Sequence, residues 1–177
     1  MENGGVVGRG ILLDYAGWAA SKNINLSPLT TKKITLAELK QVAEYQKISF
    51  CPNDILFIRS GYVKALLSLT EDEAMAYSKT APPAAIGVES GEEMLRWIWE
   101  NEFAAVAGDM TAFEAHPFQS KEYMLHEWLL GGWGMPIGEL FDLEKLAEEC
   151  RRLNKWTFFF TSIPLKVCIL AGIELAA

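Results

Sequence analysis

The chain has two histidines, His116 and His126, so imidazole acid–base chemistry or a histidine metal site must use one or both. Glu139 follows His126 by thirteen residues, and the intervening segment 131–138 holds four glycines and a proline. These residues allow a tight turn and a close backbone approach. We therefore expect His126 and Glu139 to converge on one point, where nitrogen and oxygen donors suit Zn²⁺ or Mn²⁺. The alternative is chance spacing, because a His and a Glu this far apart form no specific motif.

A second group of polar residues, at 108–117, directly follows a predicted strand, where α/β proteins often place functional loops. Asp109 is its candidate catalytic residue. In an extended stretch Glu114 and His116 would project to the same side and could form another carboxylate–imidazole pair. The alternatives are that Asp109 caps a turn and that His116 is an ordinary surface residue before Pro117. We favour the latter for His116, since one His beside one Glu is a weak metal signal.

Two tryptophans, Trp128 and Trp133, flank the His126 region. Their flat indole rings could form the apolar walls of a substrate pocket, and packing in the core is the alternative. We retain them as candidate substrate-binding residues.

Composition limits the partners and the compartment. The chain has 177 residues, half of them hydrophobic, which is enough for a single domain spanning residues 1–177. Its net charge of −7 disfavours nucleic acid and anionic membranes as partners. Residues 1–10 lack a basic region followed by an apolar stretch, so we expect no secretory signal. The most apolar segment, 156–173, is interrupted by polar residues and proline, so we expect no membrane span. We expect a cytoplasmic protein whose three cysteines, Cys51, Cys150 and Cys168, are reduced.

Short apolar runs alternate with helical patterns along the chain, which predicts an α/β domain. Buried strands are predicted at 10–15, 54–59, 103–107 and 156–162. Capping-box patterns at Thr35–Glu38 and Ser90–Glu93 predict helices at 36–46 and 92–101. Further helices are predicted at 121–130 and 143–153, and exposed connections at 21–31 and 78–83.

Five ordered segments carry a family resemblance that reaches to about residue 165. They read GRGILLDY (8–15), PNDILFIRSGY (52–62), AAVAGDMTAFEAHP (104–117), LHEWLLGGWGMPIGELFDLEKL (125–146) and WTFFFTSIPL (156–165). Together they resemble the cyclase family that includes kynurenine formamidase, particularly its fungal members. The resemblance implies a swivelling β/β/α fold and a metal-dependent amide or ester hydrolase, with His126 and Glu139 at the positions of the family's later metal ligands.

The chain also departs from the family pattern at both ends. The first metal motif, His-x-Gly-Thr-His-x-Asp, normally precedes GRGILLDY, and fungal members often have Trp-Asp-Gly-x-x-His there; neither is present. Residues 166–177 diverge from the usual continuation. We therefore expect an incomplete family domain, shortened at its N-terminus, with half of the metal shell missing.

Three functions follow as expectations. The first is a kynurenine formamidase-like, metal-dependent hydrolase of an amide, ester or cyclic substrate. It would be of the arylformamidase type and act on a small aromatic or amide-containing molecule, with a family role in tryptophan catabolism to kynurenine and Zn or Mn as cofactor. The second is a non-catalytic binding or interaction protein. The third is a cyclase or dehydratase of secondary metabolism. Because lost strands would expose sheet edges, we also expect a homo-oligomer.

Overall fold

A mainly parallel, five-stranded sheet forms the centre of the computed structural model, which describes residues 5–163. The strands of the described chain are β1 (Val6–Leu13), β2 (Lys33–Ile34), β3 (Ile55–Ile58), β4 (Gly87–Val88), β5 (Ala105–Gly108), β6 (Ile137–Gly138) and β7 (Thr157–Ser162). The sheet order is β6-β5-β3-β1-β7, with β7 antiparallel to β1 and the other pairings parallel. β2 and β4 form a separate parallel pair. The predicted α/β fold class is confirmed.

Helices cover both faces of this sheet. They are α1 (Tyr15–Ser21), α2 (Leu36–Tyr45), α3 (Tyr62–Leu67), α4 (Glu71–Ser78), α5 (Glu92–Glu100), a π-helical turn (Glu127–Gly132) and α6 (Glu144–Leu153). Alternate strand residues point to opposite faces. Leu56 therefore packs with the core under α1, α2 and α5, whereas Phe57 packs with the core under α6. Burial on both faces explains why β3 is apolar at every position.

The predicted strands overlap β1, β3, β5 and β7, but β7 differs in its burial. It lies at an edge of the sheet, and the Phe159 side chain is 77% exposed. An apolar run alone does not distinguish an edge strand from a central one, which accounts for the difference.

The helix starts were predicted correctly at one site and wrongly at another. The hydroxyl of Thr35 accepts a hydrogen bond from the Glu38 amide, and the Glu38 carboxylate accepts one from the Thr35 amide, so this capping box is confirmed. The capping box at Ser90 is wrong, because Gly91 is the N-cap of α5 and makes no side-chain cap. Ser90 instead donates its hydroxyl to Glu114.

The helix predicted at 121–130 is also wrong in its extent. Helical structure begins at Leu125 and continues through the π-helical turn to Gly132. It begins there because the Glu114 carboxylate accepts hydrogen bonds from the Leu125 and His126 amides, which would otherwise be unpaired at the helix start. A residue distant in sequence thus sets this boundary.

Two of the three cysteines are described, and both are free thiols: Cys51 is exposed and Cys150 is buried. Cys168 and the divergent segment 166–177 lie outside the described residues. Between residues 5 and 163, the helices are too short or too polar to cross a bilayer.

Candidate functional site

The loop that follows β5 carries Glu114 into the interior, and β4 determines its depth. The Val88 amide donates to the Phe113 carbonyl and the Ala115 amide donates to the Val88 carbonyl, each at 2.9 Å. Gly87 allows this approach, since a Cβ there would lie 2.3 Å from the carbonyl carbon of Glu114. The backbone of Glu114 is therefore held directly against β4.

The Glu114 carboxylate is fully buried and accepts four hydrogen bonds. They come from the Ser90 hydroxyl, the Leu125 amide at 2.8 Å, the His126 amide at 3.1 Å and the His126 Nδ1 at 2.9 Å. Burial alone would raise the pKa of Glu114, but these hydrogen bonds hold that pKa below its ordinary value. Glu114 is thus an ionised anchor that orients the His126 ring.

The other ring nitrogen of His126 faces Glu139, and Nε2 lies 3.0 Å from Oε1 of that carboxylate. Hydrogen bonds to Glu114 and then to Glu139 raise the pKa of His126 to about 9, against the opposing effect of burial. The structure therefore brings together the two residues that the glycine-rich segment was expected to join. It places Glu139 directly after β6, which pairs with β5.

The donor set fits part of a divalent metal site. A His nitrogen and a carboxylate oxygen 3.0 Å apart could both contact one ion at about 2.1 Å with a near-right angle between them. The hydrogen bond from Nδ1 to a buried carboxylate is the arrangement that orients metal-binding histidines. Across residues 5–163, however, no group of three or more His, Cys, Asp and Glu side chains is placed to hold a metal. The role of His126 and Glu139 as ligands stays a prediction.

Trp128 and Trp133 lie close together, with their ring centroids 6.3 Å apart. Trp128 Nε1 donates to the Glu122 carbonyl at 2.9 Å, and the Trp133 ring centroid lies 5.0 Å from that of Trp99. The two indoles line a cavity of about 280 Å³ beside α5, and neither His126 nor Glu139 is among its lining residues. Their role as substrate walls stays a prediction.

Asp109 stabilises the loop between β3 and α3. Its carboxylate accepts hydrogen bonds from the Ser60 amide at 2.6 Å, the Ser60 hydroxyl at 2.7 Å and the Gly61 amide at 2.7 Å. Burial raises the pKa of Asp109, and these hydrogen bonds oppose that effect. Both carboxylate oxygens therefore have a structural task, and the catalytic role of Asp109 stays a prediction.

His116 does not pair with Glu114. It is half-buried, and its Nδ1 lies 2.8 Å from the Pro83 carbonyl oxygen, to which it donates a hydrogen bond. The pairing of Glu114 with His116 that an extended stretch would allow does not form, because the Glu114 side chain turns into the interior, where His126 meets it.

Sequence reasoning missed two features of the site. It considered Glu114 only as a partner for His116 and did not identify it as the partner of His126. It also missed Phe118, whose ring centroid lies 5.7 Å from that of His126 and whose side chain is partly exposed. Phe118 supplies an aromatic surface beside the imidazole.

Comparison with known proteins places the chain among relatives of about twice its length. Residues 1–115 match the sequence model of a family described as putative cyclase. No curated protein matches the chain. A crystal structure of a novel cyclase has a TM-score of 0.72 and 31% identity, over 86% of this chain and 46% of that chain.

Two isatin hydrolase structures share the fold at lower identity. Isatin hydrolase A from Labrenzia aggregata, bound to benzyl benzoate, has a TM-score of 0.62 and 17% identity, over 92% of this chain and 56% of its own. Isatin hydrolase A from Ralstonia solanacearum has a TM-score of 0.55 and 12% identity, over 78% and 49%. The chain thus spans about half the length of these structures. With the family model matching most of its residues, the chain belongs to the putative cyclase family.

Proposed function

We propose that the chain forms part of the active site of a metal-dependent hydrolase acting on an amide, ester or cyclic substrate. The observation that carries this proposal is the 3.0 Å approach of His126 Nε2 to Glu139 Oε1, with the second ring nitrogen held by Glu114. Family membership supports it, as does the fold shared with isatin hydrolase A, a hydrolase by name.

For the substrate we propose a small aromatic amide of the N-formylkynurenine type, which would make the activity that of an arylformamidase. The sequence resemblance to fungal kynurenine formamidases supports this substrate and a cytoplasmic role in tryptophan catabolism. Phe118 lies beside the imidazole and offers a surface for an aryl group. Trp128 and Trp133 remain candidates for the outer wall.

Each residue of the site has a distinct task in this proposal. A bound Zn²⁺ or Mn²⁺ would supply Lewis acidity toward the scissile carbonyl. Glu114 holds the proton on His126 Nδ1, which leaves Nε2 as the donor atom toward a metal. Glu139 is one-third exposed and supplies the neighbouring oxygen. Asp109 keeps the Ser60 loop in place at the end of β3.

The test compares the two histidines. Chelator-treated protein is reloaded with Zn²⁺ or Mn²⁺, and bound metal is counted by mass spectrometry for wild type, His126→Ala and His116→Ala. We expect wild type and His116→Ala to bind alike and His126→Ala to lose about tenfold or more in affinity, because one of the two donors is removed. Formate release from N-formylkynurenine and ring opening of isatin are then measured on the same samples.

Two results would refute the proposal. One is equal metal binding by wild type and His126→Ala. The other is metal-dependent turnover that persists at the wild-type rate in His126→Ala.

A second candidate function is binding without catalysis. It is favoured by the donor count, since the described residues bring together a pair of donors where hydrolytic zinc sites use three protein ligands. This function predicts saturable binding of the aromatic amide with no product formed at any metal concentration.

A further inference from the structure

A separate cavity of about 350 Å³ lies at the carboxyl end of β1. Its lining does not include His126 or Glu139. The lining includes Asp14, Trp18, Tyr45, Gln46, Arg151 and Trp156. The cavity is situated where the chain leaves β1, and its lining comes from α1, the carboxyl ends of α2 and α6, and the residue before β7.

Two buried polar atoms of the lining have no hydrogen-bond partner among residues 5–163. The Asp14 carboxylate is 2% exposed; its Oδ1 accepts from the Gly17 amide and from Arg59, whereas Oδ2 accepts no hydrogen bond and lies in an ion-pair contact 3.4 Å from Arg151 Nε. Gln46 is 8% exposed, and its Oε1 accepts from the Asp14 amide at 3.2 Å. That bond determines the orientation of the Gln46 amide and leaves its Nε2 without an acceptor.

A buried polar atom without a hydrogen bond destabilises a protein, so two such atoms in one cavity wall indicate a partner. The cavity offers one acceptor, Asp14 Oδ2, and one donor, Gln46 Nε2. A molecule that satisfies both must present a donor beside an acceptor. The N–H and C=O of a primary amide, lactam or ureide have this pattern.

The charges around the cavity favour a neutral ligand. Arg151 Nε lies 3.4 Å from Asp14 Oδ2, and the buried Arg59 contacts the same carboxylate, so a cationic ligand would be repelled. An anionic ligand would meet the Asp14 carboxylate. The aromatic side chains Trp18, Tyr45 and Trp156 favour a flat molecule.

We propose that this cavity binds a small, neutral, planar amide, which donates its N–H to Asp14 Oδ2 and accepts from Gln46 Nε2. The inference goes beyond the proposed hydrolase activity, since it uses none of the residues of that site. The competing explanation for the two atoms without a hydrogen bond is ordered water, for which the cavity has room.

The test uses benzamide as the probe, with benzoate and benzylamine as charged controls of the same shape. Binding to wild-type protein is followed by NMR through the Asp14, Gly17 and Gln46 amides and the Trp18 and Trp156 indoles. We expect saturable shifts with benzamide and none with either charged analogue at the same concentration. The His126→Ala variant should bind benzamide with unchanged affinity, which separates this site from the proposed metal centre.

Two substitutions then test whether Gln46 and Tyr45 contact the bound benzamide. Gln46→Glu retains the acceptor for the Asp14 amide but replaces the free donor by an oxygen, and we expect about tenfold weaker binding. Tyr45→Ala alters an exposed side chain at the rim, so the fold should be retained while benzamide binds severalfold more weakly. Absence of saturable binding, equal binding of a charged analogue, or unchanged affinity in both variants would overturn the proposal and leave water as the partner.

Discussion

At the scale of single residues, the His126 imidazole is held by two carboxylates in contrasting environments. Glu114 is fully buried and also binds Ser90 and two backbone amides, whereas Glu139 is one-third exposed and contacts the outer ring nitrogen. Loss of the buried partner leaves several polar groups unpaired, but loss of the exposed one does not. The two carboxylates therefore serve different purposes: the first organises the site and the second is available to a ligand.

This contrast predicts unequal effects of two matched substitutions. Glu114→Ala should lower the free energy of unfolding by about 3 kcal/mol, because it leaves buried donors unsatisfied. Glu139→Ala should lower it by less than about 1 kcal/mol, as expected for a partly exposed ion pair. Urea denaturation of metal-free protein measures both. Equal losses for the two variants would contradict the assignment of Glu114 as the anchor.

The raised pKa of His126 predicts a pH dependence of stability in metal-free protein. The folded-state pKa of about 9 exceeds the ordinary value of 6.5, so the folded state binds the proton more tightly. The stabilisation is complete below pH 6.5 and is lost as the pH rises through 9. Between pH 6 and pH 10 the free energy of unfolding should fall by roughly 2 kcal/mol more in wild type than in His126→Gln. Parallel pH profiles of the two proteins in the presence of a chelator would contradict this prediction.

At the scale of elements, a two-residue strand controls the position of the site. β4 pairs with β2 on one side, and the loop that carries Glu114 hydrogen-bonds to it through Phe113 and Ala115. The same carboxylate then accepts the first free amides of the helical turn that bears His126. A chain of hydrogen bonds, through the backbone of the loop and the Glu114 carboxylate, thus connects β4 to the imidazole.

Gly87 provides a direct test of this connection. Its Cβ in Gly87→Ala would meet the Glu114 backbone at 2.3 Å, so one of the two segments must move. We expect a loss of about 2 to 3 kcal/mol in stability and a shift of the His126 side-chain NMR signals. Gly91→Ala is the control for an added methyl group, because a Cβ there has open space around it and the φ angle of −178° suits any residue; since it changes the N-cap of α5, it should cost about 1 kcal/mol or less. A Gly87→Ala protein as stable as Gly91→Ala, with unshifted His126 signals, would refute the connection.

At the scale of the whole molecule, the sheet ends in edges that carry exposed apolar side chains. β7 is the outer strand beside β1, and Val7 and Phe159 are both largely exposed there. Exposed edges and apolar surface favour association between copies. We therefore retain the proposal that the protein is a homo-oligomer.

Phe159→Lys should shift the protein toward monomer, since a charged side chain on an edge strand opposes pairing with another copy. Leu67→Lys is the matched control: Leu67 is also 77% exposed but lies on α3, away from the sheet edge. Sedimentation velocity at several protein concentrations measures the effect. If wild type is already monomeric, or if both variants dissociate alike, association through β7 is ruled out.

Local patterns in the sequence were sufficient for the α/β class, for most strands and for helix α2, which Thr35 caps. These features depend on the alternation of apolar residues and on helix caps, and both involve residues that are close together in the sequence. The pairing of His126 with Glu139 was also accessible, because the glycine-rich segment between them allows the chain to return on itself.

The tertiary structure decided the partners of Ser90, Glu114 and His126. Ser90 donates to Glu114 and caps no helix. Glu114 does not pair with the neighbouring His116, because its backbone packs against Gly87 and its carboxylate reaches the helix start at Leu125, eleven residues further on. The two atoms of Asp14 and Gln46 that lack a hydrogen bond likewise depend on elements that are distant in sequence. The physical reason is that a buried polar group must take whichever partner the packing brings within hydrogen-bond reach, and sequence spacing does not specify that partner.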